Sequence, residues 1–240
     1  MKNFILFFIL SFILVNTASA DIFSSDKFTL RAGLSFNLTQ IHTDRLIDHT
    51  EIEDDGNPED ETKTVGLGFV TSIGYRYDNW EFAMAGDVIF GGFTDVSFNY
   101  NSSNTIRGGG HFRLVSIGPQ IKYYTPYSIL NLANIYFGFG PSWSLQTFVF
   151  RHPITTGGFN DKKRVSFENY GGSLFIGFEE IKPFKEMHPI FLEVGYSYMH
   201  SYKVSILDAS NSANVITLSE GDSNDFSGQY IIVRAGMALF

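Results

Sequence analysis

The sequence contains no cysteine, so no disulfide staples the chain and no thiolate is available for metal binding or nucleophilic attack. It is short of basic residues, with 17 Lys and Arg against 25 Asp and Glu and a net charge of -8. No basic block can neutralise a nucleic-acid backbone, which argues against nucleic acid as a partner. Pro and Ser do not gather into a linker, which leaves a single domain. The chain also lacks a long helical pattern and any apolar run of the ~20 residues that a membrane helix requires.

The longest apolar run, Phe4 to Val15, follows Lys2 and precedes Ala18-Ser19-Ala20, an A-x-A cleavage site before Asp21. Residues 1–20 therefore read as a signal peptide and 21–240 as the mature chain, which keeps 220 residues and a net charge of -9 once Lys2 is removed. The 25 Phe, 12 Tyr and 23 Gly are an unusual endowment for a soluble domain, and they direct attention to strands.

A period of two dominates. Phe28, Leu30, Ala32, Leu34, Phe36 and Leu38 alternate with Thr29, Arg31, Gly33, Ser35 and Asn37. Val65, Leu67, Phe69, Thr71, Ile73, Tyr75 and Tyr77 alternate with Gly66, Gly68, Val70, Ser72, Gly74 and Arg76. Asp78-Asn79 then turns the chain into Trp80, Phe82, Met84, Gly86, Val88 and Phe90, as in a tight hairpin. Further strands are predicted at 112–124, 134–149, 169–179, 190–204 and 228–240, which makes about eight. In the fourth, Phe112 and Leu114 run out of phase with Val115, Ile117 and Ile121, which predicts a bulge near Leu114 or a different register.

Connections alternate in length, at about 25, 2, 20, 9, 19, 10 and 23 residues, so long and short ends segregate to opposite sides. The expected outward-facing segments are 39–63, 91–110, 150–168 and 205–227. Alternation alone does not distinguish a membrane barrel from a lipocalin-like one. The second face does, because it is dominated by Gly and Ser, which suit a crowded narrow lumen better than a solvated exterior. Tyr75, Tyr77 and Trp80 around the first short turn, and Tyr123, Tyr124 and Tyr127 at the second, read as an aromatic girdle. The fold class is thus an all-β, antiparallel up-and-down transmembrane barrel.

Over the mature length this pattern resembles the small eight-stranded outer-membrane barrels of the OmpA and OmpW kind. The last strand, Gln229 to Phe240, carries the most specific resemblance, since such proteins end in an aromatic-rich strand with a terminal Phe that the outer-membrane assembly machinery recognises. Counting back from Phe240 by twos would put Arg234 toward lipid, at ~2–4 kcal/mol near the midplane. Arg234 is therefore assigned inward, with an irregular end near Phe240. The resemblance implies a bacterial outer-membrane location, with outer-membrane lipid, lipopolysaccharide and the assembly machinery as partners, and no cofactor.

Seven charged residues fall on inward positions: Arg31, Arg76, Glu81, Asp87, Lys122, Glu193 and Arg234. Both signs are present, so a mutually paired, structural charge network filling the lumen is expected. The first long loop collects Asp44, Asp48, Glu51, Glu53, Asp54, Asp55, Glu59, Asp60 and Glu61, which hard divalent cations could bridge, although the spacing matches no defined calcium loop. Some barrels of this size are lipid A-modifying enzymes, but His200 and Ser201 are adjacent and so point oppositely, and His111 stands five residues before Ser116. The leading expectation is a non-enzymatic barrel with a structural or surface-interaction role. The alternative is an OmpW-like channel or transporter for small apolar solutes, with Pro141 and Gly171-Gly172 as places where strand pairing could break.

Overall fold

The computed structural model describes residues 27–42, 46–48, 61–101, 104–129, 133–156, 162–181, 188–208, 216–218 and 227–238. Residues 1–20, expected to be a signal peptide, together with Phe240 and most of the acidic loop, lie outside the described residues.

Eight long strands follow one another around a ring: β1 (Phe28–His42), β3 (Glu61–Tyr77), β4 (Trp80–Asn101), β5 (Asn104–Ile129), β6 (Ala133–Phe150), β8 (Lys162–Ile181), β9 (Ile190–Asp208) and β11 (Ser227–Ala238). All pair antiparallel, and β11 closes the barrel on β1, with Arg234 opposite Ser35 and Ala238 opposite Arg31. Short strands β2 (Leu46–Asp48), β7 (Ile154–Thr155) and β10 (Ile216–Leu218) add to the outer ends of β4, β5 and β9. Closure pairs each wall strand on both sides, so the backbone groups of the wall are satisfied without water. Among the described residues no helix is long and apolar enough to cross a membrane, a statement that concerns helices only.

At mid-height the outside is apolar. Leu34, Leu67, Phe69, Phe82, Phe137 and Leu174 are each more than half exposed, and the band continues through Val194 and Ile231 around the ring. On β4 it runs from Trp80 to Phe90, which at ~3.3 Å per residue and a tilt near 40° is about 25 Å tall. Tyr77, Trp80, Tyr123 and Tyr127 edge it near the short turns, with Trp80 and Tyr123 in ring contact at 4.8 Å. Tyr124, expected in this girdle, instead points inward and is buried.

The strands are longer than the alternation predicts. Residues 91–110, expected as a loop, are mostly strand, and β4 and β5 meet across only positions 102–103. The Gly, Asn and Ser of this stretch gave a loop-like composition, yet its backbone pairs through Val96–Gly108, Phe98–Ile106 and Asn101–Asn104. No bulge lies at Leu114. β5 keeps one phase throughout, with Phe112 and Leu114 buried inside and Val115, Ile117 and Ile121 on the outer face. The apparent phase error arose because the interior is itself apolar at this height.

The phase breaks elsewhere. On β4 inward positions are odd up to Ile89 and even from Val96, and the extra residue sits between Phe93 and Val96. Gly108 on the facing strand has φ 154°, a conformation that side chains rarely adopt. On β9 an extra residue at Tyr202 makes the same change, from Ser201 inward to Val204 inward. Such bulges re-aim side chains without ending the sheet.

One rung of the wall is weak. The β5–β6 ladder lapses between Ile117–Trp143 and Ile121–Phe139 while keeping its register, which sets Pro119 opposite Pro141. Neither proline has an N–H to give. Gly171 and Gly172, by contrast, pair regularly with β6 and β9.

Candidate functional site

The lumen is filled in three storeys. At the end of the short turns, Arg31 donates to both oxygens of Glu81 at 2.6 and 2.8 Å, to Glu179 at 2.6 Å and to the Tyr124 hydroxyl at 2.8 Å. Arg76 donates to the other Glu179 oxygen at 3.0 Å and lies over the Tyr124 ring at 3.6 Å. Tyr124 in turn donates to Glu81 at 3.0 Å.

A second cluster stands beside the first. Lys122 donates to Glu193 Oε1 at 2.7 Å, and the Tyr136 hydroxyl donates to the same oxygen at 2.8 Å. Arg234 spans Asp87, at 2.6 and 3.0 Å, and Glu193 Oε2 at 3.2 Å. The Tyr124 and Tyr136 rings, 5.0 Å apart, join the two clusters. Four cations and four anions thus share the space, so their formal charges cancel and each is held by a partner, the condition for keeping charge in a low-dielectric interior.

Small residues make room for these rings. A Cβ on Gly177 would stand 2.2 Å from Cζ of Tyr136, and one on Gly138 would stand 2.1 Å from Cζ of Phe175. Gly177 and Gly138 on the inward face are therefore the seats of aromatic rings on the neighbouring strand, since Tyr136 pairs with Gly177 and Gly138 with Phe175.

Above the charges lies a band of small polar groups. Asn169 donates to Ser144 at 3.1 Å and accepts from Ser201, and Tyr230 donates to Gln146 at 3.2 Å. A cavity of about 20 Å³ opens here among Asp87, Ser116, Gln120, Ser144 and Arg234. It is no larger than one or two waters need.

The third storey is apolar, and alternation did not reveal it. Ile89, Val96, Phe98, Ile106, Phe112, Phe148, Phe150, Val165, Phe167, Val204 and Ile206 pack across the outer end of the lumen. Phe148 has ring contacts with Phe93, Phe112 and Phe167 at 5.5, 6.0 and 5.8 Å. Here the barrel has ordinary soluble-protein polarity, oily inside and polar outside, and the two bulges mark where the faces exchange.

All seven inward charges expected from the alternation meet in these clusters. Glu179 was missed, although it shares the odd phase of Asn169, Gly171, Ser173 and Gly177, because inward Phe175 interrupts the polar pattern. The adjacent pair His200 and Ser201 is split between the two faces, while the strand register sets Ser227 opposite both His200 and His42. His200 meets Tyr170 edge-on outside at 5.5 Å, while Ser201 is buried inside. Among the described residues no group of three His, Asp or Glu could hold a metal ion. The acidic first loop falls outside them apart from the strand positions Asp48 and Glu61.

No protein-family model and no curated protein matches the chain. Among solved structures it is similar to Neisserial surface protein A, at 14% identity over 88% of this chain and 96% of that one, with a TM-score of 0.42. It is also similar to the outer membrane protein OprG of Pseudomonas aeruginosa, at 13% identity over 88% and 93%, with a TM-score of 0.45. A third is Ail, the attachment invasion locus protein of Yersinia pestis, at 12% identity over 89% and 99%, with a TM-score of 0.41.

Proposed function

We propose that this chain is an integral outer-membrane barrel without enzymatic activity, whose lumen is closed by side chains and whose role is structural or is carried by its outward-facing end. The observation that carries the reading is the double inversion of polarity. An apolar belt of bilayer height surrounds a neutralised charge network, and beyond the belt the faces exchange so that the outer end packs as a soluble domain does. An exposed apolar band of this extent is sustained by lipid. Two seals, one charged and one apolar, leave no water column through eight strands.

Purified protein reconstituted in planar bilayers is therefore expected to show no stable open-channel steps. Large, steady conductance would overturn the closed lumen. Tags inserted near Gly56 or Asn101 are expected to be labelled on intact cells, because short turns face the periplasm in such barrels. Labelling at Asn79 instead would reverse the orientation.

A second reading, passage of small apolar solutes through the wall, draws support from the Pro119–Pro141 rung, where two ladder hydrogen bonds cannot form beside the internal cavity. Uptake of apolar solutes into proteoliposomes, lost on Pro119→Val/Pro141→Val, would favour it over the structural role.

A further inference from the structure

Just above the apolar belt, one rung of the outer wall is built from polar groups. Register places Arg113 beside Thr147, Thr147 beside Ser166, and Ser166 beside Ser205, so a guanidinium and three hydroxyls cross four adjacent strands. The Thr147 and Ser166 hydroxyls stand 3.1 Å apart. One rung further out, His111, Val149 and Arg164 are neighbours. All of these face outward, because the residues between them, Phe112, Phe148, Val165, Phe167, Val204 and Ile206, fill the inner apolar storey.

Among the described residues, charge on this patch is uncompensated. Among the described residues no carboxylate pairs with Arg113 or Arg164, and Arg164 Nε is buried without a hydrogen-bond partner. The nearby Glu168 is already taken, accepting from Lys203 at 2.5 Å and from Tyr202 at 3.0 Å. Thr147 and Ser205 keep only 8% exposure although they lie on the outer face, so they floor a recess between longer side chains.

Height identifies the neighbour. Ten residues of β5 separate Tyr123 in the lower girdle from Arg113, about 25 Å along the barrel axis at the usual rise and tilt. Trp143, Tyr170 and Tyr202 cluster just below the rung, with Trp143 donating to the Tyr202 hydroxyl at 3.1 Å and Tyr170 against Tyr202 at 5.8 Å. Such amphipathic rings belong at the head-group level. Arg113 and Arg164 are two strands and two residues apart, roughly 12 Å between Cα atoms. Both side chains can therefore converge above the Thr147–Ser166 pair, each offering the planar fork that suits phosphate.

We propose that Arg113 and Arg164, with the hydroxyls of Thr147 and Ser166, form a binding site for a phosphate on the sugar head group of lipopolysaccharide in the outer leaflet. The proposal rests on the membrane reading above. It is specific to lipopolysaccharide because this end of the barrel carries the long connections that face outward, and because hydroxyls beside the guanidinium forks suit a phosphate borne on a sugar.

The test is native mass spectrometry of the mature barrel in micelles, titrated with bisphosphorylated lipid A, dephosphorylated lipid A, phosphatidylglycerol and inorganic phosphate. Wild type is expected to prefer bisphosphorylated over dephosphorylated lipid A by about tenfold or more, and the preference should vanish in Arg113→Gln/Arg164→Gln. Arg151→Gln, an exposed position outside the patch, should leave it unchanged. Equal binding by wild type and the double variant, or no effect of removing the phosphates, would overturn the site. Phosphatidylglycerol or inorganic phosphate binding as tightly as lipid A would overturn its assignment to lipopolysaccharide. Each protein is first shown to migrate as a heat-modifiable barrel. Failure of wild type there sinks the membrane reading, whereas a folded wild type indifferent to phosphate sinks only the site, even if the double variant does not fold.

Discussion

Arg31→Met is expected to be the most damaging single substitution in the lumen, lowering stability by about 3–5 kcal/mol. The guanidinium serves Glu81, Glu179 and the Tyr124 hydroxyl at once, and it is almost wholly buried. Methionine fills much of the same volume, so little of the loss comes from a cavity. What remains is two buried carboxylates with Arg76, at the rim, as their nearest cation, since Arg76 lies 3.0 Å from Glu179 and 3.7 Å from Glu81. The measurement is the urea midpoint of the heat-modifiable band in detergent. Restoring neutrality tests the cause: Arg31→Met/Glu81→Gln should recover part of the loss, because only one uncompensated anion is then left for Arg76. A loop change such as Asp54→Asn should leave the midpoint within about 0.5 kcal/mol. If Arg31→Met unfolds no earlier than Asp54→Asn, the paired network does not hold the lumen together.

Phe148→Ala is expected to cost about 3–5 kcal/mol, by a different mechanism. Its ring is fully buried and is the hub of the apolar storey, touching Phe93, Phe112 and Phe167. Truncation leaves a cavity between β4, β5, β6 and β8 at the height where lipid no longer supports the wall. The damage should be local: the outer ends of β4 and β5 become susceptible to protease added outside, while the belt and the charged storey persist. Limited proteolysis of reconstituted protein reads this directly, with cleavage between positions 91 and 110 appearing in the variant and not in wild type. Phe82→Ala on the lipid face removes the same atoms without opening an internal cavity, and it should not produce that cleavage. Equal protection of wild type and Phe148→Ala would show that the outer end is held by backbone pairing alone.

Alternation in the sequence determined much of this protein. Six apolar residues on one face of Phe28 to Leu38, with Thr29, Arg31, Gly33, Ser35 and Asn37 opposite, dictate a pleated wall with a lipid side and a narrow lumen, because side chains in a regular strand alternate between its faces. The same parity located six of the seven expected lumen charges, and the cost of an arginine in lipid placed the seventh, Arg234. Three things were decided by tertiary structure alone. Parity assigns a face but not a partner, so that Arg31 meets Glu81 and Glu179, and Arg234 meets Asp87 and Glu193, depends on closure and stagger of the ring. A bulge moves every later side chain to the other face, so the shifts near Thr94 and at Tyr202 hid the point where the inside becomes apolar. Finally, the length of a strand is set by whether a neighbour continues beside it. Residues 91–110, rich in Gly, Asn and Ser, read as loop in isolation and became strand because β4 and β5 pair with each other and bury Val96, Phe98 and Ile106 together.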